Sequence, residues 1–184
     1  MGSRKPSIPN QKLSAETEAT FLSAYEDYAD AVFRHVMLRV RDREVAKDVV
    51  QETFSRTWLY LSRHKEVGHM RAFLYKVANN LIVDTMRRKR NVSLDAMMED
   101  HGFEPADPNV EEPKDVLATQ EAMRLLASLD EIYRTAITMR YIDELSPREI
   151  AHALGVSENV VSVRIHRGIE RLSKLVRRDP PKTQ

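Results

Sequence analysis

The sequence predicts an all-α protein of two small helical domains joined by an acidic, flexible linker. Three observations predict this fold class. Apolar residues recur at helical spacing over most of the chain. Only five of 184 residues are glycine, whereas Ala, Leu, Arg, Glu and Met are abundant, a balance that favours helix over strand. Charge is segregated beneath a net value of +1: residues 1–94 balance to +6, residues 95–117 to −7 and residues 118–184 to +2. Two basic blocks flanking an acidic strip suggest two lobes that face nucleic acid.

The elements follow in order. Residues 1–13 read as a polar tail, and residues 14–94 as the first domain. Its first helix carries Phe21, Leu22, Tyr25, Tyr28, Ala29, Val32, Phe33, Val36, Met37 and Val40 on one side. A charged break at Arg41 to Arg43 precedes a second helix, from about Glu44 to Arg63, through Val45, Val49, Val50, Phe54, Trp58 and Leu61. His64 to His69 reads as a loop. A third helix, from about Met70 to Lys89, ends in the basic run Arg87-Arg88-Lys89-Arg90. Residues 95–115 hold three prolines and eight acids, with no sustained period, and read as the linker. Residues 116–178 form the second domain, with helices over 116–129 and 132–141 before its terminal pair. Residues 179–184 read as a frayed tail.

The stretch Ser146 to Lys174 carries the most local information. Ser146 can cap a helix, with Pro147 at its first turn and Glu149 completing a capping box. Gly155 suits a turn needing positive φ. Ser157 can cap the next helix, where Val160, Val161, Ile165, Ile169 and Leu172 recur at packing positions. Asn159, Ser162, Arg164, His166, Arg167 and Arg171 share the other face. This is the layout of a helix-turn-helix whose second helix enters a DNA major groove.

Other classes are disfavoured. With no cysteine, disulfides and thiolate zinc sites are excluded, and the six histidines lack metal-ligand spacing, so no metal or cofactor is expected. No apolar run approaches the ~18–20 residues that span a bilayer, and the start lacks an apolar signal core. The expected location is the cytoplasm, without membrane insertion. No Gly-rich phosphate loop, HExxH, GxSxG or nucleophile–base set points to catalysis, so the chain reads as a non-enzyme with no catalytic residues. A helix-turn-helix alone also fits another kind of transcription regulator. The phospho-receiver form of that reading is disfavoured because residues 1–94 lack strand alternation.

Four segments together carry a resemblance. Asp48-Val49-Val50-Gln51-Glu52-Thr53-Phe54 with Trp58, Arg71 to Leu81 with Asp84 and Arg87 to Arg90, Leu129 to Tyr141, and the helix-turn-helix occur in that order. In this order the chain resembles the extracytoplasmic-function (group IV) sigma factors of bacterial RNA polymerase, over about residues 15–176. The resemblance implies partners: the RNA polymerase core, through its β′ clamp helices and β subunit, promoter DNA, and an anti-sigma factor. It implies that Asp48, Gln51, Glu52, Thr53 and Phe54 dock on polymerase. It also implies a bacterial cytoplasmic protein that opens DNA at the −10 element.

The remaining site residues divide between two DNA elements. By resemblance Asn80 and Asp84 sit at the −10 element, where an Asn amide can pair with an adenine edge. Arg87, Arg88 and Lys89 can neutralise phosphates, which adds affinity but little sequence choice. The loop before the third helix would hold a flipped base. Ser162, Val163 and His166 align with the family's −35 readers, and Arg164 and Arg167 suit backbone phosphates. Tyr75 fits either base stacking or the core. Lys47 stands where the family has an acid, which leaves open a sigma-like protein impaired in initiation.

Overall fold

The computed structural model describes residues 15–64, 66–93 and 121–178. The acidic linker, both tails and the side chain of Arg90 lie outside the described residues. No strand occurs among the described residues. Three long helices make the N-terminal half: α1 (Ala15–Val40), α2 (Arg43–His64) and α3 (Met70–Ser93). The C-terminal half holds α4, helical over residues 121–127, then α5 (Glu131–Ile137), α6 (Pro147–Leu154) and α7 (Glu158–Arg178).

The first three helices pack pairwise on one another. Between α1 and α2 the chain turns at Arg41, whose φ of 54° places it in the left-handed region. Asp42 then accepts a hydrogen bond from the Val45 amide (3.1 Å), satisfying a free donor at the start of α2. That bond and the neighbouring Lys89 ammonium hold the Asp42 carboxyl below its usual range. Val32, Val36, Ala46, Val49, Phe54, Leu74, Ala78 and Ile82 fill the interior. Tyr75 is fully buried, so the stacking role is set aside in favour of the core. Leu22 and Tyr25, placed by periodicity on the apolar side of α1, are half exposed (51% and 50%). The aromatic cluster Phe21, Tyr25, Phe54 and Trp58 sits at the rim of the α1–α2 contact, where outer rings keep one face in water.

In the C-terminal half, α5 and α7 cross closely because Gly168 has no side chain. A Cβ there would come within 2.5 Å of Ile137 Cδ1. Arg171 lies over the Tyr133 ring, 4.4 Å from its centroid, and pairs with Asp130. The helix expected over 132–141 is not uniform. It passes from α5 into a π turn, Thr138–Ile142, where Asp143 N donates to Thr138 O at 3.0 Å. The wider turn leads into Glu144, with φ 55°, and delivers Asp143 to the interior at 3% exposure.

The helix-turn-helix forms as the sequence predicts. The Glu149 amide donates to Ser146 Oγ, and the Ser146 amide donates to Glu149 Oε2 at 2.8 Å. Gly155 ends α6 with φ 66°, and Ser157 Oγ accepts from the Val160 amide at 3.3 Å. Val161 is fully buried, but Val160 and Ile169 are 38% and 41% exposed. The sequence pattern places those two in packing positions, but neither is covered by another helix enough to be buried.

Burial raises the Glu149 pKa, but the Ser146 hydroxyl and amide, with the Arg71 and His69 charges, outweigh it and leave the group below 4.5. A lowered folded-state pKa contributes stability above the unfolded value, and that contribution is lost as pH falls through the folded value. Ser146→Ala should therefore cost about 1 kcal/mol at neutral pH, and less below about pH 4. Urea unfolding followed by circular dichroism at both pH values checks this. An equal cost at both would show that the Glu149 carboxylate takes no part.

Candidate nucleic-acid interface and the contact between the halves

On α2, Asp48, Gln51 and Glu52 are exposed and occupy adjacent turns. Leu59, half exposed, continues the same strip toward the helix end. Glu52 pairs with Arg56 at 2.7 Å, and Lys47 with Glu44 at 2.7 Å. Thr53 and Phe54, assigned to the docking surface, do not reach it. Thr53 is fully buried and donates to Val49 O at 2.7 Å, and Phe54 is 4% exposed. Their positions fall on the inward stripe of α2, so they shape the strip from beneath.

On α3, Asn80 is exposed, whereas Asp84 lies 3.8 Å from Arg87. Arg87 and Arg88 reach solvent, and Lys89 pairs with Asp42 at 3.1 Å. On α7, Ser162, Val163, His166 and Arg167 are exposed together. Ser162 Oγ donates to Glu158 O at 3.0 Å, which leaves its oxygen as an acceptor. His166 lies 4.0 Å from Glu170. Arg171, first grouped with this face, is committed to Asp130 and Tyr133 instead. Arg164 is only partly exposed and turns toward the other half of the chain.

That turn reflects a contact the sequence did not announce: α6 packs directly on α3. Met139, Leu145, Ile150, Ala151, Ala153 and Val161 belong to the same core cluster as Val32, Val36, Leu74 and Ala78. Polar groups cross the seam. His35 Nδ1 lies 2.7 Å from Asp143 Oδ2, with both side chains fully buried. Arg39 donates to Asn79 Oδ1 at 3.1 Å and to Glu131 Oε1 at 2.6 Å. Arg71 donates to the Asp143 carbonyl. Burial pulls the Arg39 pKa down, against the opposing pull of Glu131. Burial, then the Asp143 charge, pushes the Tyr75 phenol upward.

The seam is not fully satisfied. His35 Nε2 is buried without a hydrogen-bond partner in the protein, whereas the Tyr75 hydroxyl faces the Asp143 carboxylate. A buried group left without a partner costs ~1–3 kcal/mol. Beside them an open cleft of about 330 Å³ separates α3 from the C-terminal half. Asn80, Val83, Ile132, Leu154 and Arg164 line it. The candidate −10 residue and one candidate −35 residue thus face the same small space. One signal for the seam was present: His35 and Arg39 sit in register with Val32 and Val36 on the inward stripe of α1. No metal-binding cluster and no helix long and apolar enough to cross a membrane occurs among the described residues.

A two-part helical protein with a capped helix-turn-helix at one end and a basic α3 at the other belongs to a defined class. Sigma-70 region 2 matches residues 24–92, and Sigma-70 region 4 matches residues 119–172. The chain is 30% identical to the ECF RNA polymerase sigma factor SigW of Bacillus subtilis, over 85% of this chain and 89% of that protein. It is 33% identical to the ECF RNA polymerase sigma factor SigE of Mycolicibacterium smegmatis, over 79% of this chain but only 57% of that longer protein. Its fold is similar to that of the sigma factor RpoE of Bartonella quintana, solved with the anti-sigma factor NepR. The TM-score is 0.70 at 20% identity, over 87% of this chain and 98% of that one. The chain belongs to the ECF RNA polymerase sigma factors. As a member it is an alternative sigma factor for transcription initiation.

If α7 grips DNA as its exposed face suggests, Arg167→Ala should weaken binding to all sequences alike and lower the salt slope by about one. Fluorescence anisotropy with duplexes at several salt concentrations measures both. A loss confined to one sequence would reassign Arg167 to base reading.

Proposed function

We propose that the N-terminal half docks on core RNA polymerase and engages the −10 element, while the C-terminal half grips the −35 element. The observation that carries this reading is the division of exposed polar faces. An acid–amide strip lies on α2, a basic end on α3 and a recognition face on α7. Asp48, Gln51 and Glu52, with Leu59 beside them, suit a basic, partly apolar groove such as the β′ clamp helices would offer. Asn80 suits base readout, and Arg87 and Arg88 suit phosphates. Lys89 joins them once released from Asp42, and Asp84 orients Arg87. Ser162, Val163 and His166 contact base edges, with Val163 able to meet a thymine methyl. Because these residues read bases only modestly, DNA shape contributes to −35 choice. The acidic linker, with the β subunit beside it, follows the RNA exit path as a mimic of nucleic acid. An anti-sigma factor is the natural inhibitor, and the protein acts in the bacterial cytoplasm as a group IV member.

In vitro transcription with core enzyme on candidate promoters is the direct test. Promoter-specific transcripts are expected, and their absence with every compatible core enzyme would sink the reading. A second outcome concerns Lys47, whose ammonium pairs with exposed Glu44 and sits one residue before Asp48. Lys47→Glu should tighten core binding, by up to about tenfold for one added charge contact. Unchanged or weaker binding in a pull-down titration would mean that Lys47 does not impair docking.

A further inference from the structure

We propose that Asn159 is a further base-reading residue for the −35 element. Its carboxamide pairs with the major-groove edge of one adenine, about one helical turn before the bases met by Ser162 and Val163. The inference deepens the −35 reading above and rests on it.

Register puts Asn159 at the centre of the outward face of α7. Val161 is fully buried and Gly168 packs on Ile137 and Tyr133, which fixes the inward side of the helix. At about 100° per residue, Asn159 stands roughly 160° from Val161, between His166 at roughly 140° and Val163 at roughly 200°. Ser162, at roughly 100°, lies nearer the flank. All four are exposed. Asn159 follows Glu158 at the start of α7, the end from which a recognition helix reaches base edges. Ser162 to His166 covers about 6 Å of helix axis, and Asn159 to His166 about 10 Å. At ~3.4 Å per base pair, the added turn reaches one further base pair.

The local hydrogen bonds leave the Asn159 amide available. The Ser157 hydroxyl caps the first turn by accepting from the Val160 amide at 3.3 Å. Ser162 Oγ donates to the Glu158 carbonyl at 3.0 Å. Among the described residues no hydrogen bond engages the Asn159 side chain. Asn is a weak helix former because its side chain competes for backbone groups. With the cap already supplied by Ser157, it adds nothing to the start of α7. Folding thus gives no reason for an amide here, whereas recognition does. A carboxamide sets a donor and an acceptor side by side. Nδ2 donates to adenine N7 while Oδ1 accepts from the N6 amino group, a two-point match that no other base offers in the major groove. Ser162, its proton committed, and apolar Val163 each make one contact, so the sharper choice falls to Asn159. The amide is neutral and adds nothing to phosphate attraction, which Arg167 supplies.

The test is in vitro transcription by the full-length chain with core enzyme. The template is a promoter library randomised across the −35 region, each promoter linked to a transcribed barcode. The parent should favour adenine at one position by about tenfold. Asn159→Ala should level that position and keep the preferences at its neighbours. Asn159→Asp should move the preference there to cytosine, because a carboxylate accepts from N4 and cannot donate to N7. A loss of output shared by all sequences would make Asn159 a backbone contact, and an unchanged profile would leave it without a role. Either result overturns the inference. Ala favours helix, so that variant should keep the parent's circular dichroism. If it does not, Asn159→Asp, whose charge suits a helix start, decides the same question.

Ser162→Ala and His166→Ala separate this inference from the reading beneath it. If they reshape the profile and Asn159→Ala does not, the assignment of Asn159 fails and the −35 reading stands. If the parent favours no base anywhere in the −35 region, the −35 reading itself fails.

Discussion

His35 and Asp143 stand 108 residues apart in sequence and 2.7 Å apart in space, and the arrangement of the two halves depends on their meeting. Neither group is tolerable alone in an apolar seam, because a buried polar side chain needs a partner. His35 sits on the inward stripe of α1, between Val32, Val36 and Arg39. Without the C-terminal half, that stripe would present an imidazole and a guanidinium to solvent beside valines. Asp143 reaches the seam only because the π turn at Thr138–Ile142 shifts the chain out of α register. Arg71 then fixes the Asp143 backbone by holding its carbonyl. A local irregularity in one half therefore completes a polar contact in the other.

The choice of chemistry at this seam has a consequence. A purely apolar contact of the same extent would be harder to open. A buried pair recovers little net stability after desolvation, yet it constrains geometry tightly. The partnerless His35 Nε2 subtracts from the stability of the seam. Arg39 adds directional bonds to both Asn79 and Glu131. The seam thus takes its register from the polar contacts and its stability from the shared apolar cluster of Met139, Leu145 and Ile150 with Val32, Val36 and Leu74.

Legibility in the sequence followed the range of the interactions involved. The capping box at Ser146 and Glu149, the left-handed Gly155 and the Ser157 cap are local, and each formed as read. The stripes of α1, α2 and α3 marked most of the inward residues, but Tyr75 was left open between stacking and the core, and Leu22 and Tyr25 on the α1 stripe are half exposed. Periodicity assigns a face but not the partner that covers it. Thr53 and Phe54 were therefore credited to a docking surface although their stripe faces the core. Val160 and Ile169 were credited to packing although both remain exposed at the edge of their stripe. Arg171 looked like part of the DNA face, and only the crossing at Gly168 brings Tyr133 and Asp130 to it. The π turn has no compositional mark, since Thr138 to Ile142 continues an ordinary helical pattern.

The exposed faces divide affinity from choice. The α2 strip, Asn80 and the α7 face are all open to solvent, whereas Arg164 is partly covered at the cleft beside α3. If Asp48, Gln51 and Glu52 dock on polymerase as proposed, docking breaks no contact at the seam. In the same proposal Arg87, Arg88 and Arg167 supply phosphate attraction that falls with salt and carries no sequence choice. Discrimination between promoters then rests on Asn80 and on Ser162, Val163 and His166, together with DNA shape.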